Sequence, residues 1–98
     1  MASAWRVEFA QSALREFRQL DDRAKAEAKR AIADLEEDPF PAGSIPLRGN
    51  PGFFRIRFYR DAYRIVYGVS GKQRTVIIQR VRPRASAYYG LEKSRRLA

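Results

Sequence analysis

Residues 53–67, FFRIRFYRDAYRIVY, read as two strands around a tight reversal. Phe54, Ile56 and Phe58 recur at every second position, with Phe53, Arg55, Arg57 and Tyr59 between them. Beyond the reversal, Tyr63, Ile65, Tyr67 and Val69 alternate with Arg64, Val66 and Gly68. Alternation of this period marks strands with one buried and one open face. A register that opposes Tyr59 to Arg64 keeps both apolar rows on one side, whereas a one-residue slip sets arginines against the buried row. Arg55, Arg57 and Arg64 therefore emerge together on the other face. Taken singly, such arginines dress a solvated sheet, and Arg64 has a counter-ion at hand in Asp61. The rest of the chain decides between a solvated face and a working surface.

Ninety-eight residues make one domain, residues 1–98, with room for a single core. The formal net charge of +9 is unevenly spread. Residues 1–40 hold 7 Lys/Arg against 9 Asp/Glu, a balance of −2, while residues 41–98 hold 13 against 2, a balance of +11. An excess confined to one half points to a polyanionic partner, nucleic acid first. Cysteine and histidine are both absent, which removes disulfides, thiolate metal sites and the commonest general base. No run approaches the ~20 apolar residues that span a bilayer, and MASAWRVEF does not resemble a signal peptide. A soluble, cytoplasmic protein without a membrane partner, metal or cofactor is expected.

AWRVEFA alternates Trp5, Val7 and Phe9 with Arg6 and Glu8, the pattern of a half-buried strand. From Gln11 the period lengthens: Ala13, Leu14, Phe17 and Leu20 fall on one side of a helix, with Arg15, Glu16 and Arg18 largely outside. Asp21 and Asp22 end that helix and cap a second, whose stripe is Ala24, Ala28, Ala31, Ile32 and Leu35. Pro39 and Pro41 stop it, and PFPAGSIP reads as an irregular connection. After the arginine-rich hairpin and a turn at 70–72, TVIIQRVR forms a further strand, apolar enough for a central position. With Ile77 and Val81 toward the helices, Arg80 and Arg82 join the arginine face. The tail from Ser86 to Leu97 is a short basic helix in this reading. The fold class is α+β: an N-terminal strand, a helical hairpin, then a three-stranded antiparallel meander forming one sheet. The helices cover one face, and the other is concave and lined by arginine.

In order and spacing, WRVEF, SALREFRQL, the DP that ends helix two, LRG at 47–49, FRIRFYRDAYRIVYGV and RPRASAY together resemble the RelE/ParE superfamily of bacterial type II toxins. The resemblance covers nearly the whole chain. It implies either of two activities: ribosome-dependent cleavage of messenger RNA in the RelE-like branch, or inhibition of DNA gyrase in the ParE-like branch. The RelE pattern implies functional residues at Arg55, Arg57, Arg64, Arg82 and Tyr88, with Arg84 near the last. That full set favours the mRNA interferase branch. The implied partners are a cognate antitoxin, RelB-like or other, together with the ribosome and mRNA. A non-catalytic basic RNA-binding domain is the remaining alternative.

RNA cleavage by the ribose 2′-hydroxyl needs no metal. It needs a base for the 2′-proton, fixed cations for the phosphorane-like transition state and help for the leaving 5′-oxygen. Arg64 and Arg82 suit the phosphate oxygens, since a guanidinium can hold two at once. The paired strand positions, often lysine in RelE, are arginines here; an arginine keeps its proton, so neither Arg55 nor Arg57 serves readily as a base. The base is then Tyr88 or the ribosomal RNA; Tyr88 otherwise stacks on an unpaired base, and Tyr89 beside it leaves the tyrosine open by one position. Catalysis is thus expected from Arg64, Arg82, Tyr88 and Arg57, and phosphate binding from Arg55, Arg57, Arg80 and Arg84.

Overall fold

The computed structural model describes residues 4–89. Its elements are β1 (Arg6–Phe9), α1 (Gln11–Arg18), α2 (Asp22–Glu37), β2 (Ile45–Pro46), β3 (Phe53–Phe58), β4 (Tyr63–Ser70) and β5 (Thr75–Pro83), followed by a single 3-10 turn at Arg84–Ser86. The strands form one sheet in the order β1-β5-β4-β3-β2. The class is α+β, as the periodicities predict. Among the described residues no helix is long and apolar enough to cross a membrane.

Each helix starts where the sequence changes period. Asp21 caps α2 by accepting the Ala24 amide at 2.8 Å, which satisfies one of the donors that a helix start leaves unpaired. Ala24, Ala28 and Leu35 are fully buried. The small methyl of Ala28 lets α2 lie close to the sheet, and a larger residue there would overfill the contact. The core joins Ala13 and Leu35 from the helices to Ile56, Phe58, Ile65, Tyr67, Val76, Ile78 and Val81 from the sheet. β5 lies between β1 and β4, the interior place its apolar run requires. β1 pairs with it in parallel, Phe9 opposite Ile78, because the helical hairpin carries the chain across one face before the meander begins.

Four details depart from the sequence reading. The β3–β4 register opposes Arg57 to Arg64 and Phe58 to Tyr63, not Tyr59 to Arg64. Tyr59, Arg60 and Asp61 all take left-handed backbone (φ 55, 56 and 71°), so they leave the ladder and form the turn. The offset is two residues, so every side chain keeps its expected face. The irregular connection contains β2, a two-residue strand that extends the sheet beside β3. In β5, Val76 and Ile78 are buried against the helices with Val81, and Ile77 opposes Gly68 on the other face. A bulge causes this: Val66 opposes Arg80 while the next residue, Tyr67, opposes Ile78, so Gln79 is the extra residue and reverses the alternation. Arg80 and Arg82 still reach the arginine face. Lastly, a 3-10 turn occupies Arg84–Ser86, and most of the expected tail helix lies outside the described residues.

Tyr67 ties the meander to the helices. It is fully buried, and its hydroxyl donates to the Pro39 carbonyl at 2.7 Å, just past the end of α2. Burial pushes its phenol up to about 12, with Ser44 opposing and Asp38 adding to the rise. The folded state thus holds this proton beyond the unfolded value near ~10. The stabilisation is complete below about pH 10 and is lost as pH rises through about 12. Tyr67→Phe should lower unfolding free energy by about 1 kcal/mol at neutral pH. In urea titrations the gap between the two proteins should close between pH 10 and 12. A gap independent of pH there would place the stabilisation in packing alone.

Candidate functional site

The face of the sheet away from the helices carries two adjacent rows that hold arginines. Arg57, Arg64 and Arg82 are consecutive cross-strand partners on β3, β4 and β5. Beside them run Arg55, Val66 and Arg80. Like charges directly opposite one another on a sheet repel, at roughly 0.2–1 kcal/mol per pair. Three arginines in one row therefore need anions within reach, and two carboxylates supply them.

Asp61 is the only acidic residue between positions 41 and 91, and three arginines converge on it. Its Oδ1 lies 3.0 Å from Nη1 of Arg64 and 3.5 Å from Nη1 of Arg57, and its Oδ2 lies 3.6 Å from Nη1 of Arg84. The sequence offered Asp61 as a partner for Arg64 alone. The turn brings the others because its left-handed residues fold the carboxylate back over the sheet. Each such residue costs roughly 1–2 kcal/mol in a chain of L-amino acids. The turn is held by Arg64 Nη1, which donates to the carbonyls of Asp61 (2.9 Å) and Tyr63 (3.3 Å), and by the Arg84 amide on the Ala62 carbonyl (2.9 Å).

Arg64 is consequently not an open surface cation: only 7% of its side chain is exposed. Its Nε and Nη1 of Arg55 are buried donors without an acceptor among the described residues, each at a cost of about 1–3 kcal/mol. The most accessible of the arginines around Asp61 are Arg57 and Arg84, with side chains 52% and 69% exposed.

Glu16 answers the other end of the row. Its Oε2 accepts from Arg82 Nε at 2.6 Å and its Oε1 from the Val81 amide at 2.9 Å. The helical periodicity had set Glu16 outside. The legible signal was its position three residues after Ala13 and four before Leu20, a charge placed on the apolar side of the helix. A recess of about 330 Å3 opens beside this pair, with Leu20, Tyr63, Pro83 and Ser86 among its walls.

Arg80 donates through Nη1 to the carbonyls of Ala87 (3.2 Å) and Tyr89. Its guanidinium thereby holds the segment that carries Tyr88. Burial lowers its pKa, the charge of Arg82 adds to the lowering, and Glu16 opposes it. Tyr88 is 39% exposed and Tyr89 82%. The expected residues thus divide into an Asp61 group (Arg57, Arg64, Arg84), a Glu16–Arg82 pair, and Arg80 bound to the backbone around Tyr88, with Arg55 between Ile45 and Val66 in the ladder.

The profile described as the ParE toxin of type II toxin-antitoxin systems, parDE, matches residues 7–88. The comparison with curated proteins finds no match. Among solved structures, the isolated E. coli RelE toxin superposes with a TM-score of 0.75 at 25% identity, covering 97% of this chain and 100% of that one. A mutant of E. coli RelE in the free state gives 0.78 at 26% identity, with both chains wholly covered. The Mycobacterium tuberculosis toxin-antitoxin complex RelBE2 gives 0.68 at 33% identity, over 83% of this chain and 99% of that one. From the opening strand to the RPRASAY segment, therefore, this chain belongs to the ParE toxin family of type II toxin–antitoxin systems, within the RelE/ParE superfamily.

Proposed function

We propose that this toxin is a ribosome-dependent endoribonuclease that cuts messenger RNA in the ribosomal A site and so inhibits translation. The observation that carries this reading is the unbroken row Arg57–Arg64–Arg82 across three strands, with Arg84 on the same Asp61 carboxylate and the Tyr88 segment held by Arg80 and Arg82. In the proposed step the ribose 2′-oxygen attacks the adjacent phosphorus. The 2′-O–P bond forms, the P–O5′ bond breaks, and the products are a 2′,3′-cyclic phosphate and a 5′-hydroxyl. Tyr88 takes the 2′-proton. Arg64 and Arg82 stabilise the added negative charge on phosphorus. Arg82 or Arg84 stabilises the leaving 5′-oxygen by hydrogen bonding, and the proton that completes the 5′-hydroxyl comes back from Tyr88 or from water. Arg55, Arg57 and Arg80 bind neighbouring phosphates. Because Asp61 lies against Arg64 and Arg57, RNA phosphate and this carboxylate compete for the same cations.

The partner that silences such a face is an antitoxin with an acidic or amphipathic segment. The E. coli RelBE and M. tuberculosis RelBE2 toxin-antitoxin complexes among the structural relatives support one. Action on ribosomes places the toxin in the cytoplasm. A second reading, inhibition of DNA gyrase without cleavage, is favoured by the ParE description of the matching profile. Purified toxin added to programmed ribosomes should yield new mRNA ends within the A-site codon and leave gyrase supercoiling intact. Intact mRNA together with blocked supercoiling would establish the second reading.

Phosphate contacts make binding salt-dependent. Ribosome or RNA affinity should fall by roughly 0.7 log unit per phosphate neutralised for each log unit of salt, and Arg57→Ala should flatten that slope. Salt-insensitive association would mean that apolar contacts dominate.

Arg64→Ala should abolish cleavage. Unlike an exposed surface arginine, it should also lower stability by about 1–3 kcal/mol, because its contacts hold the left-handed turn. Cleavage lost with stability untouched would contradict the buried placement.

Tyr88→Phe removes one oxygen and keeps the ring. The single-turnover rate should drop sharply with ribosome affinity nearly unchanged, and Tyr89→Phe should be close to silent. If Tyr89→Phe is the crippling change, the tyrosine assignment moves by one residue.

A further inference from the structure

β5 continues to Pro83, but its last partner on β1 is Phe9, opposite Ile78. Beyond that point no strand among the described residues covers this edge, and α1 passes there instead. The amide of Val81 would be an unpaired strand-edge donor, and Glu16 Oε1 accepts it at 2.9 Å. A single neutral acceptor would be enough for that task. Glu16 places its second oxygen 2.6 Å from Arg82 Nε, in a pair only 20–30% exposed. Charge-assisted bonds this short are the strong ones. They differ from the surface ion pairs that contribute little.

An arginine side chain turns about several bonds before its guanidinium, and water lets it sample many orientations. Fixing Nε sets both the position and the plane of the fork. Arg82 stands on the open face, opposite Arg64, and the fork so fixed belongs to a residue proposed to hold the reacting phosphate. We infer that Glu16 is a positioning residue of the cleavage site, acting through Arg82 by presenting its guanidinium ready-oriented to the phosphate. The inference rests on the nuclease reading above. It assigns a catalytic consequence to a helix residue far from the arginines in sequence, and it links the edge of the sheet, the recess beside it and the reacting centre.

Glu16→Gln tests it, because glutamine has one acceptor oxygen and one amide donor. It can satisfy the Val81 amide or Arg82 Nε, but not both. On programmed ribosomes at saturating toxin, the single-turnover rate should fall by about tenfold to a hundredfold, the scale of a misplaced catalytic group. The half-saturating concentration should change far less. In an Arg82→Ala background, adding Glu16→Gln should change nothing further, since residues acting as one unit are non-additive. If Glu16→Gln does not fold, Glu16→Asp, which keeps both oxygens one methylene short, carries the same comparison. A wild-type rate in Glu16→Gln overturns the inference, and so does an equal fold-loss with and without Arg82. If the wild-type protein leaves mRNA intact, the nuclease reading fails and takes the inference with it. If the wild type cuts and the variant cuts as fast, only the inference fails.

Discussion

One carboxylate in a strained turn makes this basic sheet possible. Arg57, Arg64 and Arg82 face one another across three strands, an arrangement that repels itself unless anions stand close by. Asp61 meets that need for Arg57, Arg64 and Arg84 together, and Glu16 meets it for Arg82. Without Asp61 the left-handed path through Tyr59, Arg60 and Asp61 would lose the ion pair that makes it tolerable. The hairpin register that aligns the row would lose its anchor. Sheet, turn and charge are therefore one problem with one solution.

The same arrangement bears on chemistry. A site that stabilises developing charge works best when its donors already point at that charge and need no reorganisation. Here the guanidinium groups are held by carboxylates and carbonyls before any substrate arrives. Asp61 occupies the place that the proposed mechanism gives to a phosphate oxygen, against the same nitrogens. A resident anion keeps the cations gathered and limits non-specific attraction to other polyanions. Specific binding must then offer enough contacts to displace it or share with it. Arginine suits this scheme better than lysine, because its planar fork can serve a carboxylate and a phosphate from different nitrogens.

What could be read from the sequence follows from how local each feature is. The faces of β3 and β4 were legible because period-two alternation depends only on neighbouring residues. The resemblance supplied the arginines and Tyr88 as an ordered set, and the structure brings Arg57, Arg64 and Arg82 of that set into one cross-strand row. The hairpin register was two residues off, because the turn takes left-handed backbone at tyrosine, arginine and aspartate with no glycine to signal it. The faces of Ile77 and its neighbours depended on a bulge at Gln79, which arises from pairing with β4. β2 is two residues long and includes Pro46, too short for any pattern. Glu16 was misplaced because its partners lie more than sixty positions away. Arg64 was expected on the surface, and it does lie on the open face, but the turn closes over it.

The central claim is that fixed cations and a tyrosine cut RNA through its own 2′-hydroxyl. The most direct test is the chemistry of the ends left on mRNA cleaved by wild-type toxin on ribosomes, read by mass spectrometry of the 5′ fragment. A 2′,3′-cyclic phosphate, with a 5′-hydroxyl on the downstream fragment, is the outcome this account predicts. A free 3′-hydroxyl with a 5′-phosphate downstream would mean that water, not the ribose, attacks the phosphorus, and would contradict it.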